Sequence, residues 1–307
     1  LIVIGSGPAG RRGAIQAAKL GHSVLVVEKS RRVGGVSVHT GTIPSKTMRE
    51  TVLNLTGWRE RGFYGRAYRV KKDLEAKDLL LRLHKTLDHE VDVLEHQFAR
   101  NGVQTLQGEA RFLDPHQVEV RTSSDETKVI EGDRFLIAVG SRPYRPDNVP
   151  FDGVTVFDSD DIIDLPRLPR SLAVVGAGVI GVEYATIFSA LDVAVTLIES
   201  RPTMLDFIDR ELVADFTHHL RDRGIAIRMG TKVDHIELAD GHPVVVLEGG
   251  RQVRSDMLLY AAGRMGDTAS LNLEACGLSV DGRGRLTIDP KTFQTAVPHI
   301  YAAGDVI

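Results

Sequence analysis

The sequence predicts an α/β protein built from two Rossmann-like dinucleotide-binding domains, each a parallel sheet with a β-meander. Three observations carry that prediction. An apolar run, Leu1 to Ile4, breaks into the glycine-rich turn GSGPAG at residues 5–10, and a second run, SVLVVE, ends on the acid Glu28. The same order then repeats: setting Leu1 against Leu172 aligns Gly5, Gly7 and Gly10 with Gly176, Gly178 and Gly181, and Glu28 with Glu199. Self-similarity at a fixed offset marks a repeated structural unit. Finally, short strand-like runs follow each repeat, VQTLQGEARFL, QVEVRT and KVIEGDRFLIAVGS after the first and KVDHIEL and PVVVLE after the second.

Within the first turn, Gly5 permits the tight reversal, Gly7 lets backbone N–H groups approach a pyrophosphate, and Gly10 allows the helix to pack closely on the strand. The helix RRGAIQAAKL ends at Gly21, and Glu28 closes the next strand, placed to accept a hydrogen bond from a ribose hydroxyl. Ser45 to Leu55 reads as a helix capped by Ser45, with Lys46 in its first turn. From Leu74 to Arg100 apolar residues recur at helical spacing, Leu80, Leu83, Leu87, Val91, Leu94 and Phe98 among them, a stripe that belongs to a core. The three runs after Gly102 read as one antiparallel meander. Tyr144 to Pro169, rich in proline and aspartate, reads as a connector with a domain boundary near its start. The expected domains are 1–144, 145–264 and a return to the first over 265–307.

In the second repeat, Val179 and Ile180 open the helix of GAGVIGVEYA, and Glu199 ends the following strand. Glu199 suits the 2′-hydroxyl of NAD and repels the 2′-phosphate of NADP. Arg201 admits two readings, a partner for that phosphate in a site tolerating either nucleotide, or a solvated arginine after a strand. FIDRELVADFTHHLRDRG is an amphipathic helix, and IAIRM and DMLLYAAG are further strands.

At 307 residues the chain is long enough for two domains with cores of their own. Hydrophobic residues at 42% and charged residues at 26% describe a soluble globular protein, and no window approaches a membrane-spanning run. A net charge of −3, with basic pairs no longer than Arg11-Arg12 and Lys71-Lys72, gives no basis for a nucleic-acid or membrane partner. The single cysteine, Cys276, excludes an intrachain disulfide and a CxxC metal site, and suits a reduced, cytoplasmic setting. Metal and hydrolase classes fail for want of a constellation: the histidines are scattered, adjacent His218 and His219 cannot face one metal from a helix, and there is no GxSxG. Leu1 already lies in a strand and VI follows YAAGD abruptly, so the sequence is expected to be part of a longer chain.

The stretch VGGVSVHTGTIPSK, Val33 to Lys46, resembles the flavin-contacting segment of the flavoprotein disulfide reductases, in which Ser37 and Thr42 would both be cysteines. A hydroxyl cannot form a disulfide, so dithiol chemistry is excluded at this place. TGTIPSKT is most similar to one branch, the soluble Si-specific pyridine nucleotide transhydrogenases, which keep threonine at the second position and usually cysteine at the first. Ser37 is thus a departure, and one that leaves hydride transfer through a flavin intact.

The resemblance spans essentially the whole chain and implies FAD at the first turn and a nicotinamide nucleotide, NAD or NADP, at the second. For FAD it implies contacts from Gly5, Gly7, Gly10, Glu28 and Lys29, from Gly34, Gly35, Val36 and Ser37, from Lys46, and from the backbone at Gly108 and Ala110. It adds Ala138, Gly140 and Ser141 of AVGSRP, and Asp305 of YAAGD on the ribityl chain. For the nicotinamide nucleotide it implies Gly176, Gly178, Val179, Ile180, Gly181, Glu199 and Arg201, with backbone contacts at Val233 and Gly263. Lys46 would sit near the flavin N5 and pair with Glu183, while Ser37 and Thr42 occupy the positions of the reactive pair. His39 is left a packing or hydrogen-bonding role. The implied activity is an FAD-dependent, ping-pong NADPH to NAD transhydrogenase, homodimeric or a higher homo-oligomer through a C-terminal domain absent here. A diaphorase, a dihydrolipoamide dehydrogenase-like enzyme and a non-enzymatic redox sensor are the alternatives.

Overall fold

The computed structural model describes residues 1–65 and 67–307, which form two compact units. Unit 1 comprises Leu1–Thr42, Leu87–Arg142 and Arg264–Ile307; unit 2 comprises Ile43–Thr86 and Pro143–Gly263. Ile43–Thr86 thus clusters with unit 2, whereas the sequence reading kept everything before residue 144 together. No helix among the described residues is long and apolar enough to cross a membrane.

Unit 1 is built on a five-stranded parallel sheet in the order Ile300–Ala302, Phe135–Ile137, Ile2–Ile4, Leu25–Glu28, Gln104–Gln107. Ile2, Val3 and Ile4 are all buried, as a strand covered on both faces requires. The helix Pro8–Lys19 packs on this sheet, and Pro8 stands at its start, where a missing N–H costs nothing. Strand order reverses between Ile2–Ile4 and Phe135–Ile137, and ligands of such sheets bind outside the carboxyl ends at that switch point.

The meander is shorter than the sequence reading. Only Glu109–Asp114, Gln117–Arg121 and Thr127–Glu131 pair antiparallel. Gly108 divides the first run, because a Cβ there would strike Val120 and the Arg121 carbonyl, and the segment before it joins the parallel sheet. Phe135–Ile137 likewise leaves the meander for a central parallel position, its Phe135 and Ile137 fully buried with Phe112, Val118, Val120 and Ile300.

Unit 2 repeats the plan, with parallel strands in the order Ala226–Arg228, Ala194–Ile198, Ser171–Val175, Met257–Tyr260, Val156–Asp158. Its helix Val179–Ala190 packs on Ser171–Val175 and Ala194–Ile198. The edge strand Val156–Asp158, entirely buried, lies inside the stretch read from sequence as a connector. An antiparallel group, Val233–Ala239, His242–Leu247 and Gln252–Arg254, adds a third strand to the two expected.

Two helix boundaries bear on the sites. The helix expected to be capped by Ser45 runs from Thr42 to Leu55, leaving Ser45 buried inside it. Pro44 fits there because the first-turn N–H groups lack intrahelical acceptors in any case. The long helix, Ala76–Arg100, buries Leu83, Val91, Leu94 and Phe98 as expected, adds Leu79, and leaves Leu80 and Leu87 half-buried.

Candidate functional site

In unit 1 the turn is shaped by sterics. Gly5 has φ +99°, and a Cβ on it would collide with the Ala138 carbonyl; a Cβ on Gly10 would fall on the carbonyl of Gly5. Gly7 differs, because its backbone is extended (φ −61°, ψ −178°) and the nearest atom to an added Cβ is the Gly35 Cα at 4.0 Å. Gly7 is also the N-cap of Pro8–Lys19 and offers no side-chain cap, so the first-turn N–H groups are left for an anion to satisfy.

Glu28, 7% exposed, accepts hydrogen bonds from Ser6 N (2.9 Å), Ser6 Oγ (2.6 Å) and Ser30 N (2.9 Å). The Ser6 hydroxyl also accepts from Gly34 N at 2.9 Å, tying the Val33–Lys46 stretch to the turn. Gly34 and Gly35 have φ +129° and +63°, and a Cβ on Gly35 would press on Gly7. Val36 and Ser37 follow on the short helix Gly35–His39, and Thr42 opens the next helix. His39 Nε2 donates to Val33 O at 3.0 Å, closing the stretch on itself. Thr40 Oγ1 in this stretch is buried without a hydrogen-bond partner, an orphan of the kind a bound group satisfies.

Asp305 joins the same place. Gly304 (φ +86°) would bring a Cβ to 3.0 Å from Ala9, so the acid's turn rests on the start of the first helix. Ser141 Oγ donates to Asp305 Oδ2 (3.2 Å), and Arg264 donates to both Ser141 Oγ (2.9 Å) and Ser141 O (2.8 Å). Gly140 turns with φ +71°. Of the other expected contacts, Ala110 is buried on the antiparallel sheet opposite Val120, and Lys29 is paired with Asp267.

Unit 2 reproduces the turn. Gly176 has φ +105°, with the Ala261 carbonyl where its Cβ would stand, and a Cβ on Gly181 would fall on the Gly176 carbonyl. Gly178 is extended (φ −77°, ψ −175°), an added Cβ meets nothing within 4 Å, and Val179–Ala190 again lacks a side-chain cap. Val179 is exposed and Ile180 half-buried in the first turn. Glu199, 6% exposed, accepts from Ala177 N (2.8 Å) and Arg201 N (3.0 Å), and from the Arg201 guanidinium at 3.1 Å (Nε) and 3.0 Å (Nη2). Burial pushes the Glu199 carboxyl up, but the hydrogen bonds from Arg201 and Ala177 prevail and hold it down at about 2. Arg201 therefore lies on the acid, and its Nη1 reaches Asp206 at 2.9 Å. Gly263 (φ +134°) has open space around it and its carbonyl accepts from Tyr144 N at 3.0 Å; Val233 begins its strand packed on the core.

Lys46 and Glu183, 137 residues apart, are paired within unit 2. Glu183 is one turn into Val179–Ala190 and 16% exposed, against 58% for Lys46. Among the described residues no group of three His, Cys, Asp or Glu side chains could hold a metal ion, and His218 and His219 face separate aspartates, Asp222 and Asp215.

A profile of the pyridine nucleotide-disulphide oxidoreductase family matches residues 1–307. The chain belongs to that family. The soluble pyridine nucleotide transhydrogenase of Mycobacterium tuberculosis is 49% identical over 308 residues, covering 100% of this chain and 66% of that one. The protein of that name from Colwellia psychrerythraea is 39% identical over 307 residues with the same coverage, so the chain spans 66% of the length of these curated relatives. Among solved structures, LpdA from Mycobacterium tuberculosis superposes with a TM-score of 0.89 at 26% identity, covering 99% of this chain and 67% of that one. The HOCl-induced flavoprotein disulfide reductase RclA from Escherichia coli gives 0.85 at 29% identity, covering 99% and 65%.

The chain has one cysteine. Cys276 is 1% exposed, donates to Leu273 O (3.1 Å), and is pushed up to about 11 by burial, which keeps it a thiol. Sequence reasoning missed Ser6, Asp206 and Asp267, and met Arg264 only as the last residue of the YAAGR run. Of the three, Ser6 lies inside a motif already singled out, the GSGPAG turn.

Proposed function

We propose that the chain is the nucleotide-binding part of an FAD-dependent, Si-specific pyridine nucleotide transhydrogenase that passes a hydride from NADPH to NAD. The observation that carries this reading is the duplicated turn, one uncapped helix N-terminus with a buried acid in each unit, together with a stretch of unit 1 that has hydroxyls where thiols would stand. Relatives named soluble pyridine nucleotide transhydrogenase at up to 49% identity support it.

FAD, when bound, supplies the redox centre between the two nucleotides. In unit 1 the first-turn N–H groups of Pro8–Lys19 take its pyrophosphate, Glu28 a ribose hydroxyl, and Asp305, positioned by Ser141 and Arg264, the ribityl chain. In unit 2 the turn at Gly176–Gly181 takes NADPH and NAD in alternation, so one leaves before the other enters and the kinetics are ping-pong. Glu183 holds the Lys46 ammonium, whose charge favours electron-rich flavin. The active form is a cytoplasmic homodimer or higher homo-oligomer.

The test is NADPH-driven reduction of thio-NAD, followed by absorbance on the full-length FAD-loaded protein, with lipoamide as a parallel acceptor. Thio-NAD turnover with parallel double-reciprocal plots and no lipoamide reduction is expected. Flavin that NADPH bleaches but thio-NAD does not restore would overturn the reading in favour of a diaphorase or redox sensor.

A further inference from the structure

The two acids are aligned in sequence but held differently. Glu28 is held by the two groups of Ser6 and by Ser30 N, none of which depends on a long side chain. At Glu199 the serine is replaced by Ala177, and the Arg201 guanidinium takes up the remaining capacity, Nε on Oε1 and Nη2 on Oε2. With Ala177 N, Arg201 N and Ser200 Oγ also donating, the acid's roughly four acceptor positions are filled. A ribose 2′-hydroxyl reaches Glu199 only when the guanidinium moves.

The far end of Arg201 is held by Asp206, and the place of Asp206 is set by the backbone. The preceding residue, Leu205, donates its N–H to Ala177 O (3.3 Å), inside the glycine turn, and accepts from Ile208 N (2.8 Å). Leu205 does so at φ +47°, a left-handed conformation that leucine rarely adopts, with its side chain and that of Met204 buried. Strain of this kind persists where surrounding structure dictates it, and here it lays the Arg201–Asp209 loop on the turn. The cluster of Glu199, Arg201 and Asp206 carries two negative charges and one positive.

We propose that Asp206 is a specificity-determining residue of the second site, holding the Arg201 guanidinium by Nη1 and so favouring NAD(H) over NADP(H). NAD(H) needs Glu199 for its 2′-hydroxyl, and Asp206 is where the displaced guanidinium stays anchored. NADP(H) brings a dianionic phosphate that needs Arg201, and must win it from two carboxylates. The inference rests on the reading of the second turn as a nicotinamide nucleotide site.

The experiment measures calorimetric Kd values on the full-length FAD-loaded protein for NADH, 5′-AMP and adenosine 2′,5′-bisphosphate. Asp206→Asn is expected to tighten the bisphosphate about tenfold and to leave 5′-AMP within about twofold, while Asp206→Glu keeps the wild-type ratio. In an Arg201→Leu background the same Asp206→Asn change is expected to do nothing. Should it still tighten the bisphosphate there, Asp206 acts by net charge alone and the proposal falls. An unchanged ratio in Asp206→Asn, with NADH bound normally by the wild type, overturns the proposal and leaves the nucleotide site standing. A wild type that binds none of the three overturns both.

Discussion

Gly178 and Gly181, three residues apart, are glycine for different reasons, and alanine at each separates them. At Gly178 the extended backbone admits any residue and an added Cβ meets nothing within 4 Å. Alanine there lowers unfolded-chain entropy, worth about 0.4–1 kcal/mol, against a comparable loss from exchanging a glycine N-cap for alanine. Stability is therefore expected to change by no more than about 0.5 kcal/mol. A methyl at that spot stands between the helix N–H groups and the pyrophosphate oxygens they would bind at about 2.9 Å. Losing one or two hydrogen bonds to a charged group, about 1.5–3 kcal/mol, weakens NADH binding roughly 10- to 150-fold. Alanine at 181 instead drives a Cβ onto the Gly176 carbonyl and forces helix from strand. Overpacking of this kind costs about 1–3 kcal/mol, and each kcal/mol lowers the Tm of a 150–250-residue domain by roughly 2–4 °C. Thermal unfolding and NADH titration of the two variants decide the matter. A Gly178→Ala protein that binds NADH like the wild type, or that loses as much Tm as Gly181→Ala, would refute the reasoning.

Lys46→Met is expected to keep its FAD content and lose roughly tenfold or more in thio-NAD turnover, with little change in stability because the lysine is 58% exposed; undiminished turnover would remove its role. Glu199, held at about 2 against an ordinary 4.5, contributes stability that is fully present above pH 4.5 and lost as pH falls through 2. Its ceiling of about 3 kcal/mol falls to about 1–2 because Arg201 is 42% exposed, so Glu199→Gln should lower Tm at pH 7 and the gap should narrow below pH 4.5; a gap that widens on acidification contradicts this. Cys276→Ala should leave turnover within about twofold while costing about 1 kcal/mol of core packing, and a dead enzyme would point to thiol chemistry.

What could be read from sequence was what local sterics decide. Gly5, Gly10, Gly176 and Gly181 are required by carbonyls that lie within the turn itself or on the neighbouring strand, so the turn, its helix and the repeat were all legible. Partnerships set by distant chain were not. Thr127–Glu131 and Phe135–Ile137 lie four residues apart, yet one pairs antiparallel at an edge and the other parallel in the centre. Periodicity could not see Val156–Asp158, because three residues show no period and its partner is Met257–Tyr260. The place of Arg201 was open for the same reason: whether it points to solvent or folds back on Glu199 is decided by Asp206 and by the loop that Leu205 pins to Ala177.

Ala177 stands in the second turn where the first has Ser6, and the buried acid of each turn is held differently as a result. Around Glu28 the donors are backbone groups and a fully buried hydroxyl that also holds Gly34, so the acid enters binding already ordered and a ribose hydroxyl adds a bond without removing one. Around Glu199 two of the donors belong to one long side chain, 42% exposed, with a second carboxylate to receive it. Any ribose that engages Glu199 first displaces a charge-assisted pair, and its departure restores that pair. Net affinity for such a ribose is the bond gained at Glu199 less the pair displaced from it. On the proposed reading, the first arrangement suits a resident flavin and the second suits nucleotides that follow one another through a single pocket.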